Sequence, residues 1–261
     1  MKSKGLLSIL TFSEKRKDIL FLLEEKPSTL SDIKDHFDVS SPEISPRLKE
    51  MQAYNLIEKT DKHYQITPIG RAIITHFRPF LEMIETIEKN ESFWEEHYLD
   101  DIPRHLMDNL MDLINCEVVS DSIENIYESH KTFTENISRS SFIKGVSSIF
   151  IPTYPDFVVG LADRGIPTSL ILTEKVFSKV RDEHFDKMEF YLKSPHTELF
   201  VIEDVKLAFV VTDVFFSMSL FFNPDTYDPR DDLVGYDSSA LKWGTGLFDH
   251  FKGISRKIVS I

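Results

Sequence analysis

Apolar positions in the first ninety or so residues recur at helical spacing. Between Ser13 and Glu25, Ile19, Leu20, Leu22 and Leu23 mark one face, with Ser13 at the N-cap position and Pro27 just past the end. Leu30, Ile33 and Phe37 predict a short second helix. A third is predicted from about Ser41 to Asn55, its buried face marked by Ile44, Leu48 and Met51 at i, i+4 and i+7. The pattern then shortens to two strand-like runs, Ile57 to Thr60 and His63 to Ile66, joined by Asp61 and Lys62. Three short helices followed by such a hairpin are the order of a winged helix-turn-helix.

Thr67 and Pro68 then form an N-cap and first-turn pair for a longer helix reaching about Lys89. Ile69, Ile73, Phe77, Phe80, Ile84 and Ile87 make a narrow apolar seam along it, and Pro79 predicts a kink. The seam packs either on its own chain or on a second copy. A homodimer is the favoured expectation, because a small winged helix gains site selection from two half-sites. Beyond a polar break, Ile102 to Ile114 is again helical. Helices and strands then alternate, with "CEVVS", "SSIFIP" and "PTSLILT" as strands and "SIENIYESHKTFTENI", "YPDFVVGLADRG" and "EKVFSKVRDEHFDKMEFYL" as helices. Three β-rich runs, "TELFVIED", "LAFVVTD" and "FFSMSLFF", precede a closing helix from about Ser238 to Ile258. Alternation implies parallel pairing first and hairpins later. The expected fold class is multidomain α/β: a winged helix over 1–70, a helical linker or dimerisation region over 71–114, and a mixed-sheet α/β effector or dimerisation domain over 115–261.

Charge sharpens this division. The 261-residue chain carries a net charge of −13. Residues 1–75 hold 12 Lys and Arg against 11 Asp and Glu, and the rest hold 18 against 32, so only the first part approaches a phosphate backbone without strong repulsion. The lone cysteine, Cys116, excludes an internal disulfide and suggests a reducing, cytoplasmic setting. The basic and apolar start of the chain is interrupted by "SEKRKD" and reads as mature protein. No run approaches the ~20 apolar residues that span a bilayer, so no membrane partner is expected.

On a helical wheel with Ile44, Leu48 and Met51 inward, Pro42, Pro46 and Lys49 point outward and Arg47 sits near the core boundary. The candidate contacts to double-stranded operator DNA are Ser41, Pro42, Ser45, Pro46, Arg47 and Lys49 on this helix, with Lys59, Lys62, His63 and Tyr64 on the wing. Ser41 is the expected cap, with Pro42 at the first position; Pro46, which lacks an amide hydrogen, predicts a loosened first turn. Tyr227, Asp228 and Trp243 are candidate contacts to a neutral or cationic small-molecule effector, because acidic residues crowd the "NPDTYDPRDD" loop and repel anions. No cofactor is expected. His97, Asp101 and His105 have metal-ligand spacing, but Pro103 interrupts the helix that would align them, and the stretch reads as a solvated acidic face. Cys116 reads as a buried, inert thiol.

Through "LSDIKDHFDVSSPEISPRLKEMQAYNLIEKTDKHYQITPIG", residues 1–70 resemble winged-helix regulators of the ArsR-like kind. Through "GLADRGIPTSLIL", "VVTDVFFSMSLFFNPDTYD" and "SSALKWGTGLFDHF", the C-terminal part resembles the FilR-type middle domain of archaeal methanogenesis regulators. The resemblance implies a non-enzymatic archaeal transcription regulator controlling genes of methanogenic metabolism. The C-terminal order also resembles phospholipase-D-like sensor domains, whose enzymes need paired His-x-Lys motifs; no such pair occurs. A protein-interaction adaptor, or an enzyme with an unrecognised site, stands as the alternative.

Overall fold

The computed structural model describes residues 5–120, 133, 135–223 and 226–261. Two compact units divide between Leu81 and Glu82. The region expected to form a separate linker is therefore shared: Ile74 and Phe77 belong to the first core, while Phe93, Trp94, Ile102, Leu106 and Leu113 belong to the second.

In the first unit, α1 (Leu6–Thr11), α2 (Glu14–Glu25), α3 (Leu30–Phe37) and α4 (Ser41–Ala53) precede the hairpin of β2 (Ile57–Thr60) and β3 (His63–Ile66). A two-residue strand, β1 (Ser28–Thr29), adds to the hairpin in the order β1-β3-β2. This is a winged helix-turn-helix. Thr29 and Asp32 close a capping box on α3, and the Thr29 donors hold the exposed Asp32 carboxyl below its ordinary range. Ile44, Leu48 and Met51 are buried, as their spacing predicts, and each contributes roughly 1.5–3 kcal/mol by leaving water. The cap of α4 is Ser40, one residue earlier than expected, which places Pro42 in the first turn where no amide is needed. The helix is continuous through Pro46 rather than restarting there.

The wing is tied to α5 (Pro68–Lys89) through Thr67. Its hydroxyl donates to the Asn55 carbonyl at 2.6 Å and accepts from the Gly70 amide at 2.9 Å. Gly70 presses on the same turn: a Cβ there would lie 2.0 Å from the Leu56 carbonyl oxygen.

The second unit is built on an eight-stranded mixed sheet in the order β11-β7-β6-β5-β8-β9-β10-β4. The strands are β4 (Glu117–Ser120), β5 (Ile143–Ser147), β6 (Thr168–Thr173), β7 (Thr197–Ile202), β8 (Leu207–Thr212), β9 (Phe216–Asn223), β10 (Thr226–Gly235) and β11 (Arg256–Ile258). β5, β6 and β7 pair in parallel and the other neighbours are antiparallel. The alternation predicts the parallel β5-β6 pair and the β8-β9 hairpin, but β7 pairs with β6 rather than forming a hairpin with β8, and β4, expected among the parallel strands, lies antiparallel to β10 at the sheet edge. One face packs on α6 (Glu91–Glu96), α7 (Arg104–Met107) and α11 (Ser238–Ile254). The other faces α8 (Tyr154–Asp163), α9 (Glu174–Glu183) and α10 (Phe185–Lys193).

Several local expectations shift. The strand expected at 147–152 lies at Ile143–Ser147, because Ile149 and Ile151 line a cavity instead of pairing. The helix expected over 174–192 breaks at His184, which ends α9 and begins α10. The acidic "loop" after Asn223 is largely strand β10, and the closing helix ends at Ile254 before β11. The helix expected over 122–137 lies mostly outside the described residues; within it, residues 135–137 are helical.

Candidate nucleic-acid interface and effector cavity

The surface of α4 divides as its sequence predicts. Pro42, Pro46 and Lys49 are exposed, whereas Ser41, Ser45 and Arg47 are half-buried. The Arg47 guanidinium donates to the Glu43 carbonyl of its own helix, which holds the side chain along the first turns. Glu50 is paired with Arg16 of α2, so its charge is offset within the unit. A groove of about 800 Å³ runs between α1, α2 and the first turns of α4, with Arg16, Pro42, Pro46 and Arg47 on its walls. Sequence reading missed the part played by Arg16; the basic run "SEKRKD" was its signal.

On the wing, Lys59, Lys62 and His63 are exposed. Asp61 takes a positive φ of 56° in the two-residue turn and so projects Lys62 from the tip. Tyr64 corrects the expectation. It is only 8% exposed and belongs to the core, with the Lys59 ammonium 5.2 Å from its ring centroid. Alternation along β3 turns His63 outward and Tyr64 inward, which removes the ring from any DNA-facing set.

The second unit holds a cavity of about 590 Å³ between the sheet and α8, α9 and α10. Leu170, Leu172, Ala208, Val210, Ser217 and Ser219 contribute to its floor, while the intervening Ile171, Val211 and Met218 pack into the opposite core. Of the three candidate effector contacts, Tyr227 lines this cavity. Asp228 and Trp243 do not. Asp228 is fully buried, 3.3 Å from His97 Nε2, and accepts from the Arg230 amide at 2.9 Å. Trp243 is in the core on the other face, donating from Nε1 to the Leu106 carbonyl at 3.0 Å.

The residues with metal-ligand spacing are dispersed. His97 stacks on Phe222 and its Nδ1 lies 2.6 Å from the Phe93 carbonyl; the Asp101 carboxylate accepts from the Lys206 amide; His105 lies beside His250. A single His-x-Lys triplet, His250-Phe251-Lys252, does occur on α11. Lys252 is bound to Glu198 at 2.6 Å, and burial lowers the His250 pKa, so the triplet offers no phosphate-holding pair. Among the described residues, no cluster of His, Cys, Asp and Glu has the geometry to hold a metal ion. No helix among them is long and apolar enough to cross a membrane.

Fold and sites together define a two-unit chain: a winged helix-turn-helix with one face of α4 exposed, and an α/β unit with an internal cavity. Residues 126–253 match the family model for the middle domain of methanogenesis regulatory protein FilR1, and residues 6–89 match that for the HVO_A0261 N-terminal domain. Across 97% of its length the chain is 24% identical to methanogenesis regulatory protein FilR1 of Methanothrix harundinacea (strain 6Ac). It spans 58% of that curated relative's length. Among solved structures, TrmBL2, an archaeal chromatin protein, covers 97% of both chains at 15% identity and a TM-score of 0.43. The riboflavin-derivative dimethyltransferase RosA from Streptomyces davawensis aligns over 75% of this chain and 63% of its own, at 11% identity and a TM-score of 0.24. These structural likenesses are too weak to carry function.

Proposed function

We propose that the chain is a DNA-binding transcription regulator that acts as a homodimer, with a second unit that senses a small molecule. The observation that carries this reading is α4 itself: within a winged helix, one face is fully committed to the core while Pro42, Pro46 and Lys49 stand free on the other. Arg47 and Lys49 supply charge toward phosphates, and Ser41 and Ser45 supply hydrogen-bond donors. Lys59, Lys62 and His63 reach the flanking backbone. The two proline rings pack on thymine methyls, which gives sequence preference without side-chain hydrogen bonds.

The similarity to a methanogenesis regulatory protein supports the regulatory role over a catalytic one, and it motivates genes of methanogenic metabolism as targets. A gel-shift titration against the region upstream of the chain's own gene tests the reading. Retarded complexes that survive nonspecific competitor DNA are expected, and Pro42→Ala with Pro46→Ala shifts the preferred site. Retention of the same preference in that double variant removes the prolines from the reading surface; no complex with any fragment favours an adaptor that binds protein.

A further inference from the structure

The cavity of the second unit is apolar over most of its wall and polar at one end. Tyr227 and Asp232 lie five residues apart on β10, an odd spacing that sends side chains to opposite faces of a regular strand. Here Tyr227 pairs with Phe221 and Asp232 with Ser219, so residues 228–231 bulge out between them. Their partners are two apart on β9, so the bulge returns Tyr227 and Asp232 to one face, and both line the cavity. Tyr154, at the start of α8, stands at the same end, where its phenol feels the Asp232 charge.

The charges on the wall are committed within the protein. Lys187 is the one Lys or Arg among the described lining residues, and its ammonium is 2.6 Å from the Asp156 carboxylate. Asp232 is engaged, with the Ser219 hydroxyl among its partners. Neutral groups are satisfied as well. Ser147 donates to the Ile149 carbonyl at 2.7 Å, Thr168 to the Ile166 carbonyl at 2.9 Å, and the Tyr191 hydroxyl to the Thr168 carbonyl at 2.8 Å. Tyr227 is hydrogen-bonded to Ser219. The Tyr154 hydroxyl, by contrast, makes no hydrogen bond among the described residues. Burial first, then the Asp232 charge, pushes this phenol up to about 12, so it keeps its proton near neutral pH and has a donor to offer. An ionised ligand would give up its water for a wall whose charges already have partners. That costs far more than burying a neutral oxygen that gains a hydrogen bond.

We propose that this cavity binds an uncharged aliphatic molecule with one oxygen acceptor, such as a medium-chain alcohol, its oxygen on the Tyr154 hydroxyl and its hydrocarbon between the aliphatic floor and α8. The size is that of small-molecule sites, which typically enclose about 300–1,000 Å³. The inference rests on the sensing role proposed above for the second unit, and it narrows the expected effector from neutral or cationic to neutral.

Uptake of the neutral dye N-phenylnaphthylamine by the full chain, followed by fluorescence, provides the test, with decanol, decylamine and decanoate as competitors at micromolar concentration. Decanol is expected to displace the dye at least about tenfold more tightly than either ionised competitor, a comparison that needs no variant. Tyr154→Phe keeps dye uptake and weakens decanol about fivefold, the effect of one hydrogen bond. Ala208→Phe, which fills the floor, blocks uptake. Thermal unfolding by circular dichroism selects variants that remain folded. Equal or tighter displacement by decylamine or decanoate overturns the proposal. So do unchanged decanol binding by a folded Tyr154→Phe protein, full uptake by a folded Ala208→Phe protein, and no uptake by the unaltered chain. DNA binding is followed in parallel on the same protein. DNA binding without preference for the alcohol removes the ligand class and leaves the regulator; alcohol preference that never alters DNA binding upholds the ligand class and removes the sensing role.

Discussion

The Cys116 thiol is fully buried, and burial first, then the nearby Asp237 charge, pushes its pKa up to about 12. The thiolate is the reactive form, so this side chain is chemically quiet at neutral pH. Ellman's reagent is expected to leave the folded protein unmodified and to react once it is denatured; rapid stoichiometric reaction in the native state would contradict an inert Cys116. Other single residues were less legible. Sequence alternation had been enough to mark His63 and Tyr64 as opposite-facing, yet not which of them faced inward. Asp228 and Asp232 look alike in the run "DPRDD", and only the pairing of β9 with β10 shows that one is locked against His97 and the other lines a cavity.

At the scale of elements, the joint between wing and α5 is the tightest local constraint in the first unit. Gly70→Ala places a methyl on the Leu56 carbonyl, and neither backbone can retreat without moving the wing. A loss of about 2–3 kcal/mol is expected in denaturant unfolding; an effect near zero would show that the joint relaxes freely. In the second unit, Glu198 of β7 is gripped by Lys252 of α11, Lys257 of β11 and Ser169 of β6. The Lys252 bond first, then that of Lys257, lowers its pKa to about 2. A depressed carboxylate pKa contributes stability above about 4.5 that is lost as pH falls toward 2. Because the side chains are about a third to half exposed, the contribution is only about 1 kcal/mol. Glu198→Gln is expected to cost that much at pH 7 and nothing near pH 2, as read by urea midpoints; an equal cost at both would assign the effect to packing. The helices of the winged unit and most strands of the sheet were legible because their apolar period is regular. Helix α1 was not: it is six residues long, and its N-cap, Gly5, makes no side-chain cap. Strands β1 and β11, with two and three residues, owe their existence to the strands beside them. The β10 bulge is a matter of register, which no single strand encodes.

At the scale of the whole molecule, charge and apolar surface point to the same working form. The near-neutral first 75 residues can approach DNA while the strongly acidic remainder discourages nonspecific wrapping. In the seam of α5, Phe77 is buried, but Ile69 and Phe80 are 51% and 53% exposed. A second copy that covers them would set two recognition helices on successive half-sites, about 34–36 Å apart on duplex DNA. Phe80→Glu is expected to convert a dimer to a monomer in light scattering after gel filtration and to weaken operator binding; an unchanged dimer would move the interface elsewhere. The central claim is that α4 reads duplex DNA, and an anisotropy titration with labelled upstream duplex between roughly 50 and 200 mM salt addresses it most directly. The account predicts sequence-selective binding that weakens with salt, and weaker binding by Arg47→Ala with Lys49→Ala whose logarithmic salt slope is shallower by about 1–2. Binding that is absent, or that keeps the same affinity and slope in the double variant, would contradict it.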